Sequence, residues 1–240
     1  MYHPEYGKAL ELVRKLHHDR YRPTINTKNQ DVRLAIYYLA GGSITQAILS
    51  LRAWGSGDLN APMRAKRYID EAKMLITCLI AVTNRERYVR RFFQDEIVTI
   101  EPRHHEKEIL KVTGMDKSSF DEWVKVAETI RHGFSKGIHP NLRSAAYNSD
   151  MDTGEFDYET KNFAFSEIEG FDFANFIIIP TIDAVTIPSE VFGVSSVSIK
   201  DIYDLREKIQ NIAIERHKAR RIAKETRKTS ARGASKNETN

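Results

Sequence analysis

One cysteine, Cys78, stands in 240 residues. A single thiol excludes an intramolecular disulfide framework and a cysteine-based zinc site, and its place in an apolar helical run points to a buried, inert side chain. Proline is scarce too. The seven prolines read as helix starts, helix stops or, at Pro180 and Pro188, an interruption and a kink or early end of one helix. No apolar run approaches the ~20 residues that span a bilayer, and MYHPEYGKALELVRK at the N-terminus has no signal-type apolar stretch. The expectation is a soluble, cytoplasmic protein with no membrane contact.

Net charge is small as well. Lys plus Arg number 37 against 33 Asp plus Glu, for +4 overall, but residues 216–240 carry nine basic and two acidic side chains. That segment is therefore +7 and the body −3, so a pI near 9.0 describes the C-terminal tail and gives the body no basic binding face. What is present in quantity is apolar side chain: 41% of the residues are hydrophobic and 10% aromatic, enough for a packed core. The expected organisation is one domain over residues 1–215 and a basic, flexible tail over 216–240.

The periodicity is helical almost throughout. From Pro4 to about Arg22, Ala9, Leu10, Leu12, Val13 and Leu16 recur at helical spacing, and His17 and His18 read as a solvated, dipole-complementing helix end. A second helix, capped by Asn26 or Asn29, runs to about Trp54. Gly41 and Gly42 fall in its middle and mark either close packing or a kink. The third helix, from Ala61 to about Ile97, has the widest apolar face and reads as the central one. On it Arg67 and Glu71 form an i,i+4 pair one heptad before Cys78, either a salt bridge at the core margin or the support of a polar site.

After Thr83, arginines 85, 87, 90 and 91 alternate with Tyr88, Phe92 and Phe93. Such a mixture can hold single-stranded RNA, but with Glu86, Asp95 and Glu96 among them the preferred reading is aromatics inside and arginines in solvent. A short helix from Glu106 ends at Gly114. Another, capped within Met115–Ser119, carries Phe120, Trp123, Val124, Ala127 and Ile130 into the stretch Arg131–Asn148.

That stretch, RHGFSKGIHPNLRSAAYN, concentrates the reactive side chains. If the helix persists to Pro140, His132 and His139 lie about 20° apart around the axis, with Lys136 about 40° to one side. Two imidazoles and an ammonium on one face can bind phosphate and move protons near neutral pH. The plainer alternative is a helix C-terminus whose cations complement its dipole. A metal site is disfavoured, since the two histidines are ~10 Å apart along the axis with no carboxylate between them.

The motif Phe134-Ser135-x-x-Ile138-His139-Pro140-Asn141, behind a long helix carrying Arg67 and Glu71 and an Arg-Arg-Phe-Phe-x-x-Glu run from Arg90 to Glu96, resembles a group of bacterial helical-bundle proteins similar to the HEPN superfamily. The resemblance covers roughly residues 30–190. It implies a metal-independent endoribonuclease without cofactor, commonly dimeric, in toxin–antitoxin or antiphage systems. Residue by residue it implies Arg131, followed by polar His132, as the catalytic arginine and His139 as the histidine. Seven residues intervene here, two of them glycines, against four to six in the family pattern. A non-catalytic relative that dimerises through the bundle and recruits a protein or nucleic-acid partner is the competing reading.

Residues 148–166 change texture and are expected to form a loop or small hairpin; their acidic residues fit a calcium loop poorly. Phe171–Phe192 reads as a core helix interrupted by Pro180, with Pro188 near its end. The last helix starts at Ser196 or Ser198, buries Ile199, Ile202, Leu205, Ile209, Ile212 and Ile214, and passes into the tail. There Arg216, Lys218, Arg220, Arg221, Lys224, Arg227 and Lys228 form an electrostatic handle for RNA, DNA or an acidic protein. The fold expected is an all-α, up-and-down-like helical bundle with a small irregular insertion and a basic C-terminal extension.

Overall fold

The computed structural model describes residues 4–55, 60–96, 98, 100–125, 128 and 173–237. It is an all-α bundle, with no strand among the described residues. In chain order the helices are α1 (Pro4–Lys15), α2 (Val32–Gly55), α3 (Asn60–Ala81), α4 (Glu86–Phe93), α5 (Glu106–Thr113), α6 (117–125), α7 (Ile179–Thr186) and α8 (Lys200–Asn237). The insertion expected at 148–166 lies outside the described residues.

The centre is formed by α2, α3 and α7, each packed on the other two; α1 and α8 lie together across α7, and α5 covers α3. Helix α3 is therefore central, as its wide apolar face predicts, with Ile69, Ala72, Ile76 and Leu79 buried. It is shorter than expected. The chain leaves it at Val82, turns, and restarts as α4 at Glu86, because the Arg85 guanidinium donates back to the carbonyls of Leu79 and Ile80 and closes the helix end.

Local signals set most of the other boundaries. Asp31, rather than Asn26 or Asn29, caps α2, its Oδ1 accepting from the Leu34 amide at 2.9 Å. Gly114, at φ 68°, ends α5 in the left-handed conformation. Asp116 caps α6 by accepting from the Ser119 amide at 2.7 Å. A π turn, Ala174–Ile178, supplies the expected interruption and leaves Pro180 in the first turn of α7, where its missing N–H leaves no gap. Ser195 caps the 3₁₀ turn Ser196–Ile199 that opens into α8. That helix buries Ile202, Leu205, Ile209 and Ala213, whereas Ile214, expected in the stripe, is 42% exposed. The stripe drifts because 3.6 residues per turn puts 213, not 214, below 209.

Two further readings need correction. First, Val32–Ala53 reaches a mean hydropathy of 1.4 and is long and apolar enough to cross a membrane by length and composition; half of that window is buried against the bundle. Second, His17 is no solvated helix end. Helix α1 continues as a π turn, Leu16–Tyr21, which carries His17 onto α2. Its ring stacks on Tyr37 at 4.1 Å between centroids, and its Nε2 donates to the Tyr37 carbonyl at 2.9 Å. Tyr21, fully buried, donates to the Val185 carbonyl at 2.6 Å and stacks on Phe192, tying the same turn to α7.

The paired glycines mark close packing. A Cβ at Gly41 would lie 3.0 Å from the His17 ring, and one at Gly42 would lie 2.0 Å from the Tyr68 hydroxyl. Adjacent residues point about 100° apart on a helix, so the pair admits the π turn Leu16–Tyr21 on one side and α3 on the other.

Candidate functional site

Arg131, His132, Lys136 and His139, with the whole of the Phe134–Asn141 motif, lie outside the described residues. What the structure shows is the element that leads to them. Helix α6 is fixed in the core by Phe120 and Val124, both essentially inaccessible, and its outer turn is tied down by ion pairs from Lys117 to Glu106 and to Asp121. Arg103 bridges Asp121 and Glu128.

Arg67 and Glu71 form the expected pair, Nε to Oε1 at 3.0 Å, with both side chains exposed. Cys78, one heptad beyond Glu71, is fully buried where that pair is exposed, and burial pushes its thiol up to about 12. The thiol is therefore unreactive at neutral pH. On α4, Tyr88 and Val89 are buried while Arg87, Arg90 and Arg91 are exposed, which matches aromatics inside and arginines in solvent. Arg91 is paired with Glu96 at 2.7 Å.

The richest polar cluster among the described residues is one that composition alone does not disclose. At the corner between α4 and α5, Glu108 accepts from the Thr83 hydroxyl at 2.6 Å, the Thr83 amide at 3.1 Å and His105 Nδ1 at 2.8 Å. These donors, Thr83 first, hold its carboxyl down at about 2, so it is ionised at any physiological pH. With Nδ1 donating to the carboxylate, His105 Nε2 is left to face the Tyr88 hydroxyl at 3.2 Å, and Arg87 donates to that hydroxyl from above the ring. The result is a continuous chain Thr83–Glu108–His105–Tyr88–Arg87, opening on a shallow depression lined by residues 103–108. The only sequence signal for it is the His-x-x-Glu spacing of residues 105 and 108; Tyr88 and Thr83 arrive through the tertiary fold.

A second network lies deeper. Lys66 and Asp70, both largely buried on α3, form an ion pair, and Lys66 also sits over the Phe176 ring at 5.6 Å. Burial is the leading influence on each, pushing the Lys66 ammonium down and the Asp70 carboxyl up. One turn on, Lys73 meets Asp183 of α7 at 3.6 Å, and Arg206 of α8 reaches the same carboxylate at 2.7 Å. Three helices are thereby held in register by charge. Neither network gathers three histidine, cysteine or acidic side chains in metal-binding geometry among the described residues.

The tail residues Arg216 to Lys228 stand on the continuous backbone of α8, which is helical to Asn237. Lys208 pairs with Glu5 at 2.6 Å and Arg216 donates to the Tyr6 hydroxyl at 3.3 Å, so α8 is fastened to α1 up to that point. Compared with protein-family models, with curated proteins and with solved structures, the chain finds no match in any of the three.

Proposed function

We propose that this chain is a HEPN-like cytoplasmic bacterial protein that cleaves RNA without a metal, as a homodimer, in a phage-defence or toxin–antitoxin setting. What supports the reading is sequence order: the Arg131-His132…His139 stretch follows, after five intervening residues, the segment 117–125 that forms α6, whose Phe120 and Val124 are buried in the core of an all-helical bundle. His139 takes the proton of a ribose 2′-OH, and the 2′-oxygen attacks the adjacent phosphorus. Arg131 and Lys136 stabilise the charge that builds on the phosphorane, and His132 returns a proton to the departing 5′-oxygen. The products are a 2′,3′-cyclic phosphate and a 5′-OH. Arg67 and Glu71 support the bundle surface, and the basic segment beyond Arg216 adds long-range attraction for nucleic acid.

The test is incubation with labelled single-stranded RNA in EDTA, beside His139→Ala and a variant ending at Glu215. Cleavage to cyclic-phosphate ends, lost in His139→Ala and kept by the truncated chain, is expected. Absence of cleavage in the intact protein refutes the enzymatic reading and leaves the bundle as a non-enzymatic interaction module.

A further inference from the structure

The C-terminal helix carries a pattern that neither its net charge nor the RNA chemistry uses. Helix α8 runs unbroken from Lys200 to Asn237. Among its described side chains the last buried one is Ala213, and Lys218, Ala219 and Ile222 beyond it are exposed. From Arg216 to Asn237 the backbone extends for about 32 Å at 1.5 Å per residue.

At about 100° per residue, the nine basic residues of this segment all fall within one arc of about 200°, from Arg216 at one edge to Lys218 and Lys236 at the other. Glu225 lies in the same arc. The remaining arc holds only small or uncharged residues, Ala219, Ala223, Thr226, Ser230 and Gly233 among them. A solvated tail has no reason to sort its charges this way, because each lysine or arginine is equally well hydrated on any side of a helix.

We propose that this face of α8 docks in the major groove of double-stranded DNA. A helix about 10–12 Å across fits a B-form major groove about 12 Å wide. In the groove it meets phosphates of both strands on its two flanks and bases beneath, so cations are wanted over somewhat more than half the circumference, and the outward remainder is free to be small and neutral. A single strand would be met along a narrower stripe, and proteins that hold single strands stack bases on aromatic side chains. Residues 216–240 contain no Phe, Tyr or Trp. The major groove of A-form RNA is too deep and narrow to admit the helix. The reach of about 32 Å corresponds to nearly one turn of duplex, ~34 Å. The body, at −3, is repelled by DNA, which leaves the helix to make the contact. This docking is independent of RNA cleavage.

The decisive variant keeps composition and net charge and moves cations to the neutral arc: Ala219→Arg with Arg220→Ala, Ala223→Lys with Lys224→Ala, and Thr226→Arg with Arg227→Thr, in the full chain. Binding of a 20-base-pair DNA duplex, the matching single strand and a duplex RNA of the same length is measured by fluorescence anisotropy at several salt concentrations. The intact protein is expected to bind duplex DNA at least tenfold more tightly than the other two, with log K falling at a slope of about −6 against log salt. The rearranged variant, shown folded by its far-UV circular dichroism, is expected to lose at least tenfold. Equal affinity for duplex and single strand, tighter binding of duplex RNA, no binding at all, or indifference to the rearrangement each overturns the proposal.

Discussion

The two central glycines make opposite demands, and substituting each by alanine separates distance of contact from freedom of the neighbour. Gly42 has the closer contact: its Cβ would fall 2.0 Å from the Tyr68 hydroxyl and 2.8 Å from the ring carbon bearing it. Tyr68, however, is 37% exposed and can swing its ring outward. Gly41 has the looser contact, 3.0 and 3.1 Å from two atoms of the His17 ring. That ring cannot move, being stacked on Tyr37 and hydrogen-bonded to its carbonyl.

Replacing glycine by alanine in a helix interior contributes about 1 kcal/mol. Overpacking against an immobile neighbour costs about 1–3 kcal/mol, so Gly41→Ala is expected to destabilise by about 1 kcal/mol net, or some 2–4 °C in Tm. Gly42→Ala is expected near zero, the helix gain offsetting the lost ring contact. Urea unfolding followed at 222 nm measures both, and a His17→Ala background should turn Gly41→Ala into a stabilising change of about 1 kcal/mol. Gly42→Ala more damaging than Gly41→Ala, or a Gly41→Ala chain as stable as the parent, would refute the reasoning.

The same histidine gives a pH dependence. Burial lowers the His17 pKa from 6.5, with the Tyr37 carbonyl opposing and neighbouring His18 adding to the shift. The unfolded chain therefore binds this proton more readily, so the contribution is fully present above pH 6.5 and is lost as pH falls towards the lowered folded value. Unfolding free energies at pH 7.5 and 5.5 should differ more in the parent than in His17→Gln; equal differences would show that the ring is not confined as described. In the core, Asp70→Asn leaves the buried Lys66 ammonium without its partner and is expected to cost about 3–5 kcal/mol, while the double change Lys66→Met with Asp70→Leu costs much less. A double variant as unstable as Asp70→Asn would mean that the pair is not coupled.

Much of the helix map was legible because its causes are local. The apolar stripe of α3 and the stop at Gly114 follow from residues within a turn or two of where they act. The glycine pair left close packing and a kink both open, and only the tertiary neighbours His17 and Tyr68 decide for close packing. Where the reading slipped, a side chain several residues away intervened. Arg85 closed α3 about four turns early by capping carbonyls five and six residues back, and Asp31 displaced two asparagines as the cap of α2. Of the candidate residues, the Arg67–Glu71 pair formed as its i,i+4 spacing dictates.

By itself the sequence determined an all-α fold, a buried thiol and an isolated basic C-terminal segment, since each depends on composition or on spacing along a helix; the angular sorting of charge needs the helix that the structure extends to Asn237. Tertiary structure alone decided that His17 would be confined against Tyr37 and Gly41, that Asp183 would gather Lys73 and Arg206, and that Glu108, His105 and Tyr88 would be joined. Apart from the local His105–Glu108 pair, those contacts bring together residues 17 to 110 positions apart, as from Tyr88 to His105 and from Lys73 to Asp183. No local periodicity encodes such partners; they meet only when burial of the apolar faces brings the helices into register.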